Sequence, residues 1–206
     1  HAHALTLQAL RITGSIAPLR WLIAQQFKAP PKPVQAFGLT FKNPVGLAAG
    51  YDKDGTAILG LSTLGFGHVE IGTVTPKPQA GNPSPRVFRL LEDDALINRM
   101  GFPSKGSEYV QLKLNPSLRS GLFERIYGIQ PRKKTGIITS IHRGGAMLGI
   151  NLGKNKDTSN EDAVFDYMAL VDNFAQYDDY LTINISSPNT VGLRELQGRA
   201  ALENLL

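Results

Sequence analysis

Apolar side chains in the first 28 residues recur at helical spacing: Leu5, Leu7, Leu10 and Ile12, then Ile16, Leu19, Leu22, Ile23 and Phe27, with Trp21 between them. Positions spaced this way gather on one side of a helix, and the interruption at Thr13-Gly14-Ser15 predicts two short helices. Arg11, Arg20 and Lys28 fall on the polar side. Such an amphipathic pair can lie on a membrane surface or pack against a domain. Ala29-Pro30-Pro31-Lys32-Pro33 ends helical structure, because proline donates no backbone hydrogen bond, and reads as a stiff linker.

Beyond the linker the period changes. Val34 to Phe41 predicts a short strand pair, and Val45 to Gly50 is an apolar run without alternation, as expected of a strand buried on both faces. A helix over Ala57–Leu64 and a strand over Val69–Val74 follow, then a helix over Tyr109–Leu114 and a buried strand over Met147–Leu152. Asp162 to Gln176 reads as an amphipathic helix through Val164, Tyr167, Met168, Val171 and Phe174, with Ser159 and Asp162 as a capping box. Tyr180–Ile185 is another buried strand, and Ala200–Leu206 starts a helix.

Four strand-then-helix units in succession require parallel strands with right-handed crossovers, as in an open doubly wound sheet or a (β/α) barrel. A dinucleotide-binding sheet would carry Gly-x-Gly-x-x-Gly after its first strand; here Gly50-Tyr51-Asp52-Lys53-Asp54-Gly55 follows instead. Lys53, Thr73, Asn151 and Asn184 cluster beyond the strand ends, the pattern of a barrel rim.

Composition narrows the chemistry. The 206 residues contain no cysteine, which removes disulfides, thiolate metal sites and a cysteine nucleophile. The formal charge of +5 favours anionic partners without choosing among them. No apolar run approaches the ~20 residues that span a bilayer. The chain begins with His1 and lacks the pattern of a signal peptide, so its start reads as a trimmed or processed end. His1, His3, His68 and His142 have neither metal-ligand spacing nor paired carboxylates, so no metal site is expected. Arg132-Lys133-Lys134, with His142 and Arg143 beyond, lacks interleaved aromatics and reads as a solvated loop, so no nucleic-acid partner is expected.

Four clusters carry candidate chemistry, each with a plainer reading. Ala48-Ala49-Gly50-Tyr51-Asp52-Lys53 would let a flat ligand approach the backbone beneath an ammonium group, or is tight packing before a solvated lysine. Asn98-Arg99-Met100-Gly101-Phe102 is a polar loop or a turn. Asn151-Leu152-Gly153-Lys154-Asn155-Lys156 ends a strand with amide and ammonium donors, or simply turns. Asn184-Ile185-Ser186-Ser187-Pro188-Asn189-Thr190 sets two amides and three hydroxyls at a strand mouth, donors suited to a planar ligand rich in carbonyl and N–H groups. Pro188 restricts the backbone at Ser187.

Taken together, Asn43 to Lys53, Val69 to Pro78, Ile97 to Phe102, Gly149 to Lys156 and Asn184 to Arg194 resemble the quinone-dependent (class 2) dihydroorotate dehydrogenases. The helix pair before the linker resembles the membrane-associated extension of that class. The resemblance implies a (β/α)8 TIM barrel carrying FMN, of which roughly the first four βα units are present in residues 34–206, after a helical extension and linker in residues 1–33. It implies oxidation of (S)-dihydroorotate to orotate in pyrimidine biosynthesis, with electrons passed to a membrane quinone on the cytoplasmic side of a bacterial inner membrane. It places Ala48, Ala49, Gly50, Tyr51, Asp52, Thr73, Asn151 and Asn184 around FMN. It places Lys53, Asn98, Arg99, Met100, Gly101, Phe102, Asn184, Asn189 and Thr190 around the substrate, and Ser187 at the catalytic base. Related FMN barrels acting on pyrimidines generally use a cysteine base, and this chain has none. Two departures stand out: the stretch between Leu114 and Met147 is longer than the family's, and the last strands, whose loops hold the flavin phosphate in the family, are missing. The alternatives are a catalytically incomplete barrel fragment and a related FMN barrel oxidoreductase acting on pyrimidines.

Overall fold

The computed structural model describes residues 2–115, 146–190 and 192–205; the basic stretch at Arg132–Lys134, Ile137–Ile141, His142 and Arg143 lie outside them. Helices α1 (Ala2–Ser15) and α2 (Ala17–Gln26) open the chain. The break falls at Ile16 rather than at Thr13-Gly14-Ser15, because α1 runs through Gly14 and Pro18 takes the first turn of α2, where its missing N–H costs nothing. Gly14 lets the helix touch the barrel: a Cβ there would stand 2.4 Å from the backbone nitrogen of Gly60. Leu7 and Leu10 pack onto a small core of Ala57, Leu61 and Val69, whereas Leu5, Ile12, Trp21, Leu22 and Phe27 are exposed. No described helix is long and apolar enough to cross a membrane.

The linker leads to an antiparallel hairpin, β1 (Val34–Ala36) and β2 (Leu39–Phe41), and then to a four-stranded parallel sheet. Its strands are β3 (Gly46–Leu47), β4 (His68–Val74), β7 (Met147–Leu152) and β8 (Tyr180–Ile183), adjacent in that order. Between β4 and β7 the chain forms an antiparallel hairpin, β5 (Val87–Leu90) with β6 (Ala95–Asn98). The helices that follow the strands are α3 (Ile58–Leu61), α4 (Ser107–Leu114), α5 (Ala163–Phe174) and α6 (Arg199–Leu205).

The pleat sorts the sheet into two faces. Ile71, Val74, Leu148, Ile150 and Leu152 point outward, fully buried against Val110, Leu114, Tyr167, Leu170 and Phe174 of the helices. Each such side chain contributes about 1.5–3 kcal/mol by leaving water. The opposite face carries polar and aromatic groups in layers. Its lowest layer stacks Phe41, His68 and Tyr180 edge to face at 5.6–6.2 Å, so the β1–β2 hairpin closes the N-terminal mouth of the sheet. Glycines make room for these rings: a Cβ on Gly46 would collide with His68, and one on Gly149 with Tyr180. This is part of the wall of an α/β barrel, not closed into a ring, with β3 and β8 as its edges among the described residues.

Several expectations change. Val45–Gly50 is not a doubly buried strand: only Gly46 and Leu47 pair with β4, and Val45 is 61% exposed, because Asn43 draws the Val45 N–H to its own side chain. The helix expected over Ala57–Leu64 is one α turn and a 3₁₀ turn, stopped by Gly65 in the left-handed region. The strand expected over Tyr180–Ile185 ends at Ile183 and is half-buried, since β8 has one neighbour. Ser159 receives the Asp162 N–H at 3.1 Å, but helix α5 starts only at Ala163 and lacks a side-chain cap of its own.

Candidate active site

The inner face of the sheet ends in a cavity of about 600 Å³ at the C-terminal ends of the strands. Its floor comes from β4, whose register shifts between Gly72 and Val74. Strict alternation would set Glu70 and Thr73 on opposite faces; the irregularity lets both reach the cavity. Gly72 is required there, with φ +113° and only 2.5 Å between a built Cβ and the Asn151 carbonyl. Thr73 and Asn151 lie inside their strands rather than beyond the ends, and Asn184 follows β8 directly.

These side chains form one network. Thr73 Oγ1 donates to Asn151 Oδ1 at 2.7 Å, and Asn184 Nδ2 donates to Asn151 Oδ1 at 3.0 Å and to Thr73 Oγ1 at 3.2 Å. Asn151 Nδ2 donates to Glu70 Oε1 at 2.8 Å, while Tyr180 and Thr182 give their hydroxyl protons to Glu70 Oε2 at 3.1 and 3.2 Å. Burial and the neighbouring carboxylate push the Tyr180 phenol above its ordinary range.

One side of the cavity is the small-residue segment Ala48-Ala49-Gly50, which continues beside β4 through Gly50 N–H to the Gly72 carbonyl at 2.9 Å. Lys53 folds back so that its Nζ donates to the Gly50 carbonyl. Burial lowers its pKa from the ordinary lysine value, Asp54 and Asp52 oppose the shift, and Arg86 adds to it. The other side is the loop after β8, where Ser186, Ser187 and Asn189 face the same space. The Asn189 N–H donates to Ser187 Oγ at 3.1 Å, placing a positive dipole on the hydroxyl oxygen. Asn98, Met100, Gly101 and Phe102 cover the cavity from β6 and the turn after it. Asn82 ties that turn to the serine loop, its Nδ2 donating to the Arg99 carbonyl at 3.1 Å and the Asn189 carbonyl at 3.4 Å.

Four other sequence candidates take different places. Tyr51 stacks edge-on against His3 at 5.0 Å, behind the cavity wall. Asp52 is buried, and its two carboxylate oxygens accept the Thr56 and Ala57 N–H groups at 2.7 Å each, holding the start of α3. Arg99 donates Nε–H to the Pro85 carbonyl at 3.0 Å and lies over the Phe88 ring. Thr190 is buried, its carbonyl receiving the Leu193 N–H at 3.3 Å. Conversely, Glu70, Val87 and Leu96 line the cavity although the sequence clusters do not include them, while Ser186 lines it from within the fourth cluster. Glu70 did leave a signal, the one acid in a strand otherwise made of apolar residues, glycine, His68 and Thr73. No cluster of metal-ligating side chains occurs among the described residues.

The donor set can grip a flat, carbonyl-rich molecule. Neutral amides and hydroxyls fill one wall, an ammonium stands beside bare backbone, and a Cβ built on Gly50 meets nothing within 4 Å. That geometry fits FMN, with Ala48, Ala49, Gly50, Thr73, Asn151 and Asn184 as the residues that would hold its ring.

A family model described as dihydroorotate dehydrogenase matches residues 33–206. The dihydroorotate dehydrogenases (quinone) of Pectobacterium atrosepticum and Serratia proteamaculans are 48% and 49% identical over 206 residues, all of this chain and 53% of theirs. Two crystal structures of DHODH from Eimeria tenella are similar. The complex with ferulenol has a TM-score of 0.66 at 43% identity, covering 92% of this chain and 47% of that one. The ligand-free form has a TM-score of 0.67 at 44% identity, covering 90% and 48%. The chain thus spans about half the length of the curated relatives it matches. On the match of its barrel residues and the identity along its whole length, the chain belongs to the dihydroorotate dehydrogenase family and corresponds to the N-terminal portion of the quinone-linked members.

Proposed function

We propose that the protein to which this chain belongs oxidises (S)-dihydroorotate to orotate, with FMN as cofactor and a membrane quinone as final acceptor, in pyrimidine biosynthesis. The observation that carries this reading is the joining of Thr73 of β4, Asn151 of β7 and Asn184 just after β8 into one hydrogen-bonded wall, with Lys53 and Ser187 lining the same cavity. The substrate loses a proton from C5 and a hydride from C6. Bound FMN supplies the two-electron acceptor for that hydride.

The chain's own residues would bind, orient and deprotonate. Lys53 meets the substrate carboxylate as a cation with a short reach, being already anchored over Gly50. Asn98 and Asn189 serve the polar edges of the pyrimidine, while Met100, Gly101 and Phe102 exclude water above it. Ser187 takes the C5 proton. A free serine is a weak base, and the Asn189 N–H aimed at its oxygen favours the negative charge that develops there. Exposed Trp21, Leu22 and Phe27 beside Arg20 and Lys28 give the helical extension a face for the bilayer surface from which the quinone comes. We place the bacterial protein peripherally on the cytoplasmic side of the inner membrane.

Ser187→Ala in the full-length protein should slow flavin reduction by dihydroorotate about 10²–10⁴-fold, the usual contribution of a positioned base, with the yellow flavin absorbance retained. Stopped-flow absorbance checks it, and unchanged reduction would reject Ser187 as the base.

A further inference from the structure

We propose that Glu70 is a positioning residue whose carboxylate fixes the orientation of the Asn151 and Asn184 amides and so decides what this wall offers the ligand. An ionised carboxylate can only accept hydrogen bonds. Asn151 must therefore turn its Nδ2 toward Glu70 Oε1, 2.8 Å away, which leaves Oδ1 facing Thr73 and Asn184. Because Asn151 Oδ1 already accepts the Thr73 hydroxyl at 2.7 Å, Asn184 must meet it with Nδ2, at 3.0 Å. Asn184 Oδ1 then receives the Ser186 N–H at 3.2 Å and its hydroxyl at 2.9 Å. Each step follows from the one before it, and reversing either amide would set like ends against each other. Tyr180 and Thr182, both donating to Oε2, hold the carboxylate still.

The consequence is chemical. Both amide oxygens are occupied by protein donors and both Asn184 N–H groups by Asn151 and Thr73, so what this pair has left to offer a ligand is the second N–H of Asn151. Glu70 thereby selects molecules that present acceptors, carbonyl oxygens or bare ring nitrogens, to this wall. The inference deepens the reading of the cavity as the flavin and dihydroorotate site and rests on it for the identity of the ligand; the orientation of the amides does not.

The test is Glu70→Gln in the full-length protein, nearly isosteric but with a donor at one end. In flavin-free protein, nuclear Overhauser contacts from the Asn151 and Asn184 side-chain NH₂ protons report orientation. The native protein should show Asn184 NH₂ beside Thr73, and the variant should lose or double those signals. Titration of flavin-free protein with FMN should show about tenfold weaker binding, a hydrogen bond's worth, with the melting midpoint of the variant close to native. Unchanged amide contacts and unchanged FMN affinity would overturn the proposal. So would a loss of affinity that tracks a loss of melting midpoint, also in Glu70→Ala, since that is what a merely structural carboxylate would give. If the native protein bound no FMN, the flavin reading would fall, while the amide contacts would still decide the role of Glu70.

Discussion

At Lys53, burial and electrostatics together make a pH prediction. Its pKa lies below the ordinary lysine value of about 10.4, chiefly through burial. A neutral amine cannot pair with a carboxylate, so the KM for dihydroorotate should climb as pH rises through that lowered value, at a lower pH than an exposed lysine would give. The maximal rate should be affected less. Lys53→Met should raise KM about 10–100-fold at neutral pH, the scale of a charged hydrogen bond, and abolish the alkaline rise; a native KM that stays flat through the whole alkaline range in which a lysine loses its proton would remove Lys53 from carboxylate binding. At this scale the sequence was informative where cavity-lining residues follow a strand, as for most of Ala48–Lys53 and Asn184–Asn189. It could not say which of several adjacent polar residues turns inward. Asp52 stands beside Lys53 in the chain yet spends both oxygens on the α3 backbone. Glu70 was overlooked because its partners come from residues 81, 110 and 112 positions away.

Among the elements, α3 is only four residues long and depends on that acid. The N–H groups of Thr56 and Ala57, just ahead of it, have Asp52 as acceptor, so Asp52→Ala should destabilise the protein by about 2 kcal/mol, lowering the melting midpoint by about 4–8 °C. Asp52→Asn, which keeps one acceptor, should cost less; equal midpoints for Ala and native protein would discount this role of Asp52. The helical extension has its own test. Removing residues through Lys28 should abolish quinone reduction while sparing flavin reduction by dihydroorotate, and equal loss of both would mean that the helices only stabilise the barrel. Helical spacing made α1, α2 and α5 legible within a few residues. The β5–β6 hairpin was not, because Val87–Leu90 and Ala95–Asn98 are exposed along their whole length and show no inside-outside alternation. The hint that remained was Asp94, in the left-handed region at the turn.

For the whole molecule, the strand-helix rhythm allows a doubly wound sheet or a barrel, and the sequential order β3-β4-β7-β8 is that of a barrel wall. What the rhythm did not reveal is how unequal the strands are: the two middle ones are deeply buried and the outer ones only partly. Each outer strand has one paired edge and one bare edge among the described residues, and bare edges invite further strands. The 206-residue polypeptide expressed alone should therefore be colourless and self-associate in sedimentation, beside a yellow full-length protein. A yellow, monodisperse preparation of the short chain would show that these strands suffice for the cofactor.

The seating of α1 carries a mechanical consequence. The helix is a rod of about 20 Å, held near one end by the Gly14–Gly60 backbone contact and at the other by His3 Nε2 against the Tyr51 carbonyl at 2.7 Å. A rod pinned at both ends cannot pivot. Force applied to its exposed side is delivered to its bearings, and one of those bearings is Tyr51, behind the wall of the cavity and bonded to Gly50, which lines it.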